Sequence, residues 1–118
     1  MKYMLLLYGE QDAGPAPGTP EFGQMLEEYM AATEEMRRAG VLLDSSPLQR
    51  TASATTVRVR EGSTRVSDGP FAEIKEMLGG YYLIDCSDLD AAVRWAAMIP
   101  AVKYGSIEIR PLMQMGPH

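Results

Sequence analysis

Histidine and cysteine are almost missing from this chain, which holds one of each, His118 and Cys86. A lone cysteine in a strand-like apolar run leaves no intramolecular disulfide, so a reducing compartment and a cytoplasmic location are expected. One final-residue imidazole, one thiol and scattered carboxylates show none of the spacings of a zinc or calcium site, so no metal is expected. Long hydrophobic runs are absent too. The opening Met1–Tyr8 is apolar but stops at Gly9-Glu10, too soon for a secretory core, and no segment approaches the roughly 20 apolar residues that cross a bilayer. Positive charge is in deficit, with 11 basic against 16 acidic side chains and a formal charge of -5. Such a chain repels phosphate backbones and anionic membranes, so neither is an expected partner. Gly79-Gly80 precedes a strand and not a helix, outside the context of a phosphate-binding loop. With no cofactor box in view, none is expected.

What is present suits one ordinary globular domain spanning residues 1–118: 46% hydrophobic and 23% charged residues, without repeats or low-complexity tracts. Residues 2 to 8 read as a strand apolar on both faces, Tyr3, Leu5 and Leu7 against Met4, Leu6 and Tyr8. A Gly/Pro-rich loop follows. Thr19 then caps, and Pro20 opens, an amphipathic helix with Phe22, Met25, Leu26, Tyr29, Met30, Thr33 and Met36 on its apolar stripe and Gly40 as its stop. Its methionines are expected to be adaptable core packing. Val41 to Leu43 begin a second strand. Thr55–Arg60 alternates Val57 and Val59 with Arg58 and Arg60, and Glu61-Gly62-Ser63 turns it into a hairpin. Gly80 to Cys86 reads as a strand, a helix capped by Ser87 runs through Leu89, Ala92, Val93 and Ala96 to Pro100, and Ser106 to Leu112 closes the chain as a strand.

This order is a split βαβ arrangement with an inserted β-hairpin, an α+β fold whose two helices cover one face of an antiparallel sheet. A first strand apolar on both faces then needs a second cover. The simplest is the same face of another copy, so a homodimer is expected.

The stretch Val66-Ser67-Asp68-Gly69-Pro70-Phe71-Ala72-Glu73-Ile74-Lys75-Glu76-Met77-Leu78-Gly79-Gly80-Tyr81-Tyr82 resembles the signature of the DGPF subgroup of YCII-related proteins. The resemblance extends to Lys2–Leu6, Thr55–Arg58 and Ile107–Pro111, nearly the whole chain. It implies a ferredoxin-like fold dimerising sheet to sheet, as in the dimeric α/β-barrel superfamily. In that family many DGPF-type genes lie near genes for alternative sigma factors, and a few broader relatives are linked to lyase-like or isomerase-like chemistry on small ring compounds. Some relatives carry a His–Asp pair with the histidine on the first helix; residues 20 to 40 here hold no histidine, so that dyad is not carried over.

Asp68-Gly69-Pro70 has the composition of a turn. The same loop gathers Asp68, Glu73, Lys75 and Glu76 beside Phe71 at a strand end, where binding residues often sit. In a catalytic reading Asp68 is the proton acceptor and Lys75 steadies the developing anion. Glu108 and Arg110 share one strand face and either line a ligand cavity between sheets or form an ion pair. Tyr8 and Tyr29 offer hydroxyls beside apolar surface, as core tyrosines also do. A small-molecule-binding dimer, a cofactor-free lyase or isomerase, and a protein-interaction module are the expectations, in that order.

Overall fold

The computed structural model describes residues 1–115. β1 (Lys2–Gly9) is an inner strand of a four-stranded antiparallel sheet of order β2-β5-β1-β6, with β2 at Leu42–Pro47, β5 at Met77–Asp85 and β6 at Gly105–Pro111. Its neighbours run opposite to it, so β1 and β2, joined by helix α1 (Pro20–Arg38), are parallel and split by β5. The expected α+β fold with split βαβ connections is thus present. β3 (Thr55–Arg60) and β4 (Ser63–Asp68) pair only with each other, as the inserted hairpin. After β5 come α2 (Leu89–Ala97) and a single turn, α3 (Ala101–Tyr104). No helix among the described residues is long and apolar enough to cross a membrane.

Alternation along the strands decides the core. Tyr3, Leu5 and Leu7 of β1 and Tyr82 and Ile84 of β5 meet Met36, Ala92, Ala96 and Ile99 from the helical layer. Met4, Leu6, Tyr8, Tyr81 and Leu83 lie half-exposed on the opposite face, with Glu108 and Arg110 beside them in register. Gly79 and Gly80, expected to precede a strand, lie inside β5. The register slips by one residue there, and a Cβ on Gly80 would stand 3.1 Å from the Ser46 carbonyl oxygen. The glycine pair marks a bulge and a close strand approach.

The helices begin and end for local reasons. The Phe22 amide donates to Thr19 Oγ1 at 3.2 Å, with Pro20 in the first turn. At the far end Gly40 takes φ 74° and the Val41 amide donates to the Met36 carbonyl, a Schellman closure that seats Val41 against the core. Two expectations are corrected. The stripe on α1 is narrower than read: Met36 is buried as expected, joined by Ala32, while Leu26 and Met30 are exposed. On α2 the cap is Asp88, one residue later than Ser87: its Oδ1 accepts from the Ala91 amide at 2.9 Å. Ala91, Ala92 and Ala96 face the sheet there, and Leu89 and Val93 face out. Asp88→Ala is expected to cost about 1 kcal/mol in chemical denaturation, with Ser87→Ala nearly neutral.

Candidate functional site

α1 crosses the sheet without sealing it, and two cavities lie beneath and beside it. The larger, about 710 Å³, is bounded by Leu26, Met30, Thr33 and Arg37 of α1 and by Ser46 and Tyr82 of the β2–β5 margin. The smaller, about 260 Å³, lies at the sheet end between Tyr8, Glu10, Arg50, Met77 and Tyr104. Leu7, Tyr29 and Gly79 line both, so the two adjoin as halves of one cleft region on either side of Tyr29. Its walls are mainly apolar with a few convergent polar groups, the usual make-up of a small-molecule site.

The polar groups are ordered by one threonine. Thr33 Oγ1 donates its only proton to the Tyr29 carbonyl, at 2.8 Å, and lies 2.9 Å from the Tyr82 hydroxyl. Tyr82 must therefore be the donor in that second contact, which leaves its phenolic oxygen free to accept from a molecule in the cleft. The Tyr29 hydroxyl, one helical turn before Thr33, has no hydrogen-bond partner among the described residues and is free to donate or accept. Burial, with Tyr82 and Tyr104 nearby, pushes the Tyr29 phenol above its ordinary value of 10.0. The folded state therefore favours the neutral phenol. Its contribution to stability is complete below pH 10 and drains away as pH rises through the folded value. Burial likewise raises Tyr3, and a hydrogen bond to Asp44 raises Tyr81. Thermal unfolding of Tyr29→Phe across pH 10 should accordingly show a shallower alkaline loss, not an absent one; an unchanged slope would contradict the buried setting of this phenol.

Charged groups, Glu34 and Arg37 in the larger cavity and Glu10 and Arg50 in the smaller, form part of the walls. Arg50 pairs with Asp12 at 3.0 Å, Arg37 with Glu34 at 2.5 Å, and Lys75 with Glu10 at 3.2 Å. Such exposed pairs add little stability, so the guanidiniums remain available to a ligand. α3 is tied to α1 by Lys103 Nζ on Glu28 at 2.9 Å, and Tyr104 packs under Gly14 of the first loop.

Of the residues singled out in the sequence, Tyr8 and Tyr29 line the cleft. Asp68 ends β4 and lines neither cavity. The following Gly69, at φ 91°, donates its amide to Ala54 and accepts from Thr56 Oγ1 through its carbonyl, so it bends the chain while holding the base of the hairpin to the start of β3. Lys75 and Glu76, with Glu10 and Ile74, border a separate surface hollow of about 510 Å³, and Phe71 and Glu73 are exposed nearby. Glu108 and Arg110 form an exposed ion pair at 3.2 Å on the open sheet face. His118 lies outside the described residues, among which no group of His, Cys, Asp or Glu is arranged to hold a metal ion. Sequence reasoning missed the roles of Thr33, Tyr82, Arg37 and Arg50. The four-residue spacing of Tyr29 and Thr33 on one helix face was a usable signal; that Tyr82 would meet them required the strand order.

Relatives match this chain over nearly its whole length. An uncharacterized protein of Rhizobium meliloti (strain 1021) is 38% identical over 114 residues, 95% of this chain and 92% of that protein. Among solved structures, the chain is similar to 5-chloro-2-hydroxyhydroquinone dehydrochlorinase (TftG) from Burkholderia phenoliruptrix AC1100 in complex with 2,5-dihydroxybenzoquinone. The TM-score is 0.50 at 13% identity, over 98% of this chain and 96% of that one, a likeness of fold. The YCII-related domain model matches residues 1–116, and this chain belongs to that family.

Proposed function

We propose that this protein is a dimeric small-molecule-binding domain whose ligand occupies the cleft between α1 and the β2–β5 margin of the sheet. The observation that carries this reading is the 2.9 Å contact of the Thr33 and Tyr82 hydroxyls in the wall of the larger cavity, with Tyr29 lining that cavity and the smaller one beside it. It suits a compact ring compound with a hydroxyl to donate to Tyr82, its anionic or carbonyl end toward Arg37 or Arg50. The structural neighbour, whose complex holds a dihydroxybenzoquinone, supports a ring compound of this size. In a sensor tied to sigma-factor regulation, as the family resemblance implies, occupancy and not turnover is the output. The sheet face bearing Met4, Leu6 and Leu83 supplies the dimer contact in this reading, because one helical layer leaves it half-exposed.

The test is a thermal-shift titration with dihydroxybenzenes, benzoquinones and aromatic acids. A ligand at a hundred times its Kd raises stability by about 2.7 kcal/mol. The shift is expected to survive in Asp68→Asn and Arg110→Ala and to be lost in Tyr82→Phe and Tyr29→Phe; equal shifts in all four variants would place the ligand elsewhere. Sedimentation of Leu6→Asp checks the dimer, with a folded monomer expected.

A second reading, a cofactor-free lyase or isomerase, is favoured by the dehydrochlorinase fold of the neighbour and by Glu10, which lines the smaller cavity and pairs with Lys75. Turnover of any hit by the unmodified protein decides it. Loss in Glu10→Gln or in Asp68→Asn then identifies the carboxylate that moves the proton.

A further inference from the structure

The smaller cavity presents one charge of each sign and keeps the matching counterions outside. Arg50 and Glu10 both line it. Asp12, which takes the Arg50 guanidinium at 3.0 and 3.4 Å, does not, nor does Lys75, which pairs with Glu10 at 3.2 Å. The larger cavity differs. Its arginine, Arg37, and that arginine's carboxylate, Glu34, stand in the same wall and neutralise each other there. Arg50 is also fixed in place. Gln11 Oε1 accepts from the Thr51 amide at 2.8 Å and from Thr51 Oγ1 at 3.1 Å, so the loop after β1 and the segment after β2 are clasped by two neighbouring side-chain contacts, Gln11 on Thr51 and Asp12 on Arg50. Around the two charges the cavity offers aromatic and aliphatic surface from Tyr8, Tyr29, Tyr104, Leu7, Met25 and Leu48. At about 260 Å³ it lies below the roughly 300–1,000 Å³ of sites for drug-sized molecules, so it suits a small occupant.

We propose that the smaller cavity is a site for a small zwitterion of the α-amino acid type, its carboxylate on Arg50, its ammonium on Glu10 and an apolar side chain against the tyrosine rings. The two wall charges disfavour simpler occupants. A plain carboxylic acid satisfies Arg50 but brings its own negative charge to Glu10, and a plain amine meets the reverse at Arg50. A molecule with both charges finds an opposite partner at each. The counterions leave this preference in force. Both pairs are solvent-exposed, with Asp12 88% and Lys75 84% exposed, and such pairs are weak in water. A guanidinium carries more N–H donors than one carboxylate can take, so Arg50 can hold Asp12 and a ligand carboxylate together. This site goes beyond the ring-compound site proposed above and does not rest on it, since Thr33 and Tyr82 line the larger cavity and not the smaller.

Isothermal titration calorimetry with L-alanine, L-valine and L-leucine tests the site. The controls are the acid and the amine of the same carbon skeleton as the tightest binder, for leucine isocaproate and isoamylamine. An amino acid is expected to bind, and each control to bind roughly tenfold more weakly or not at all. The variants carry the sharper expectation. Glu10→Gln removes the charge that repels a plain acid, so it should lose affinity for the amino acid and gain affinity for the acid. Arg50→Gln should lose the amino acid and gain the amine. Both side chains sit in exposed pairs, so the variants should fold as the unmodified protein does. An acid that binds the unmodified protein as tightly as the amino acid, amino-acid affinity unaltered in both variants, or no binding by any of the three amino acids overturns the proposal. Amino-acid binding without a ring-compound shift removes the larger-cavity reading alone; a ring-compound shift without amino-acid binding removes the zwitterion site alone.

Discussion

Leu5→Ala is expected to lower the free energy of unfolding by about 3 kcal/mol in denaturant titration. Leu5 is fully buried on inner strand β1, between Tyr82 of β5 and Ile109 of β6, under the helices that bring Met36 and Ile99 into the same cluster. A backbone hydrogen-bonded on both sides cannot collapse into the space the side chain leaves, so the cavity cost adds to the lost transfer energy. The adjacent Leu6 offers a contrast within one strand. It lies on the open sheet face, so Leu6→Ala should cost less in a monomer and act chiefly through association. Equal losses at both positions, independent of protein concentration, would show that this face takes no part in assembly.

Gly105→Ala should be the most damaging exchange of one small residue for another. Gly105 opens β6 opposite Gly9, and a Cβ there would land on the carbonyl oxygen of Tyr8 and stand 2.9 Å from Gly9 Cα. Both obstacles are backbone, so the strands must separate where β6, α3 and the smaller cavity meet. A loss of about 3 kcal/mol, or roughly 10 °C in Tm, is expected. Gly23→Ala is the control: Gly23 lies inside α1 with nothing within 4 Å of the added methyl, and helix propensity alone should stabilise the protein by about 0.5–1 kcal/mol. If Gly105→Ala were neutral, the close approach of β6 to β1 would be wrong.

The parts of the fold that announced themselves did so through local chemistry. Thr19-Pro20 marked the start of α1, Gly40 its end, and Glu61-Gly62 the hairpin turn, while the inner position of β1 came only with the strand order. The misplacements have local reasons too. Ser87 and Asp88 are adjacent and both cap well, and only the observed bond to Ala91 separates them. Alanines packed closely against the sheet give a weaker hydrophobic signal than the outward Leu89 and Val93, so the expected stripe of α2 held Ala92 and Ala96 correctly but took in Leu89 and Val93 and left out Ala91. The candidate site was legible only in pieces. Tyr8 and Tyr29 were visible as hydroxyls beside apolar surface, but the cleft joins α1 to a β5 residue 49 positions beyond Thr33, a contact made by topology and not by spacing. The Asp68-Gly69-Pro70 loop concentrates ionisable groups in sequence, yet the fold spends Gly69 on closing the hairpin and sets Asp68 apart from the cleft.

The bulge at Gly79 and the free-standing hairpin respond in opposite ways to a change in chain length. Removing one residue from β5 would turn Tyr82 and Ile84 out of the core or strip Tyr81 and Leu83 from the open face, since orientation alternates residue by residue. The hairpin has no such anchor on the main sheet. Added or lost residues, taken as one pair on each strand, keep every valine on one side and every arginine on the other. Its span is thus a dimension that insertions and deletions can alter in even steps while the sheet that carries it stays as it is.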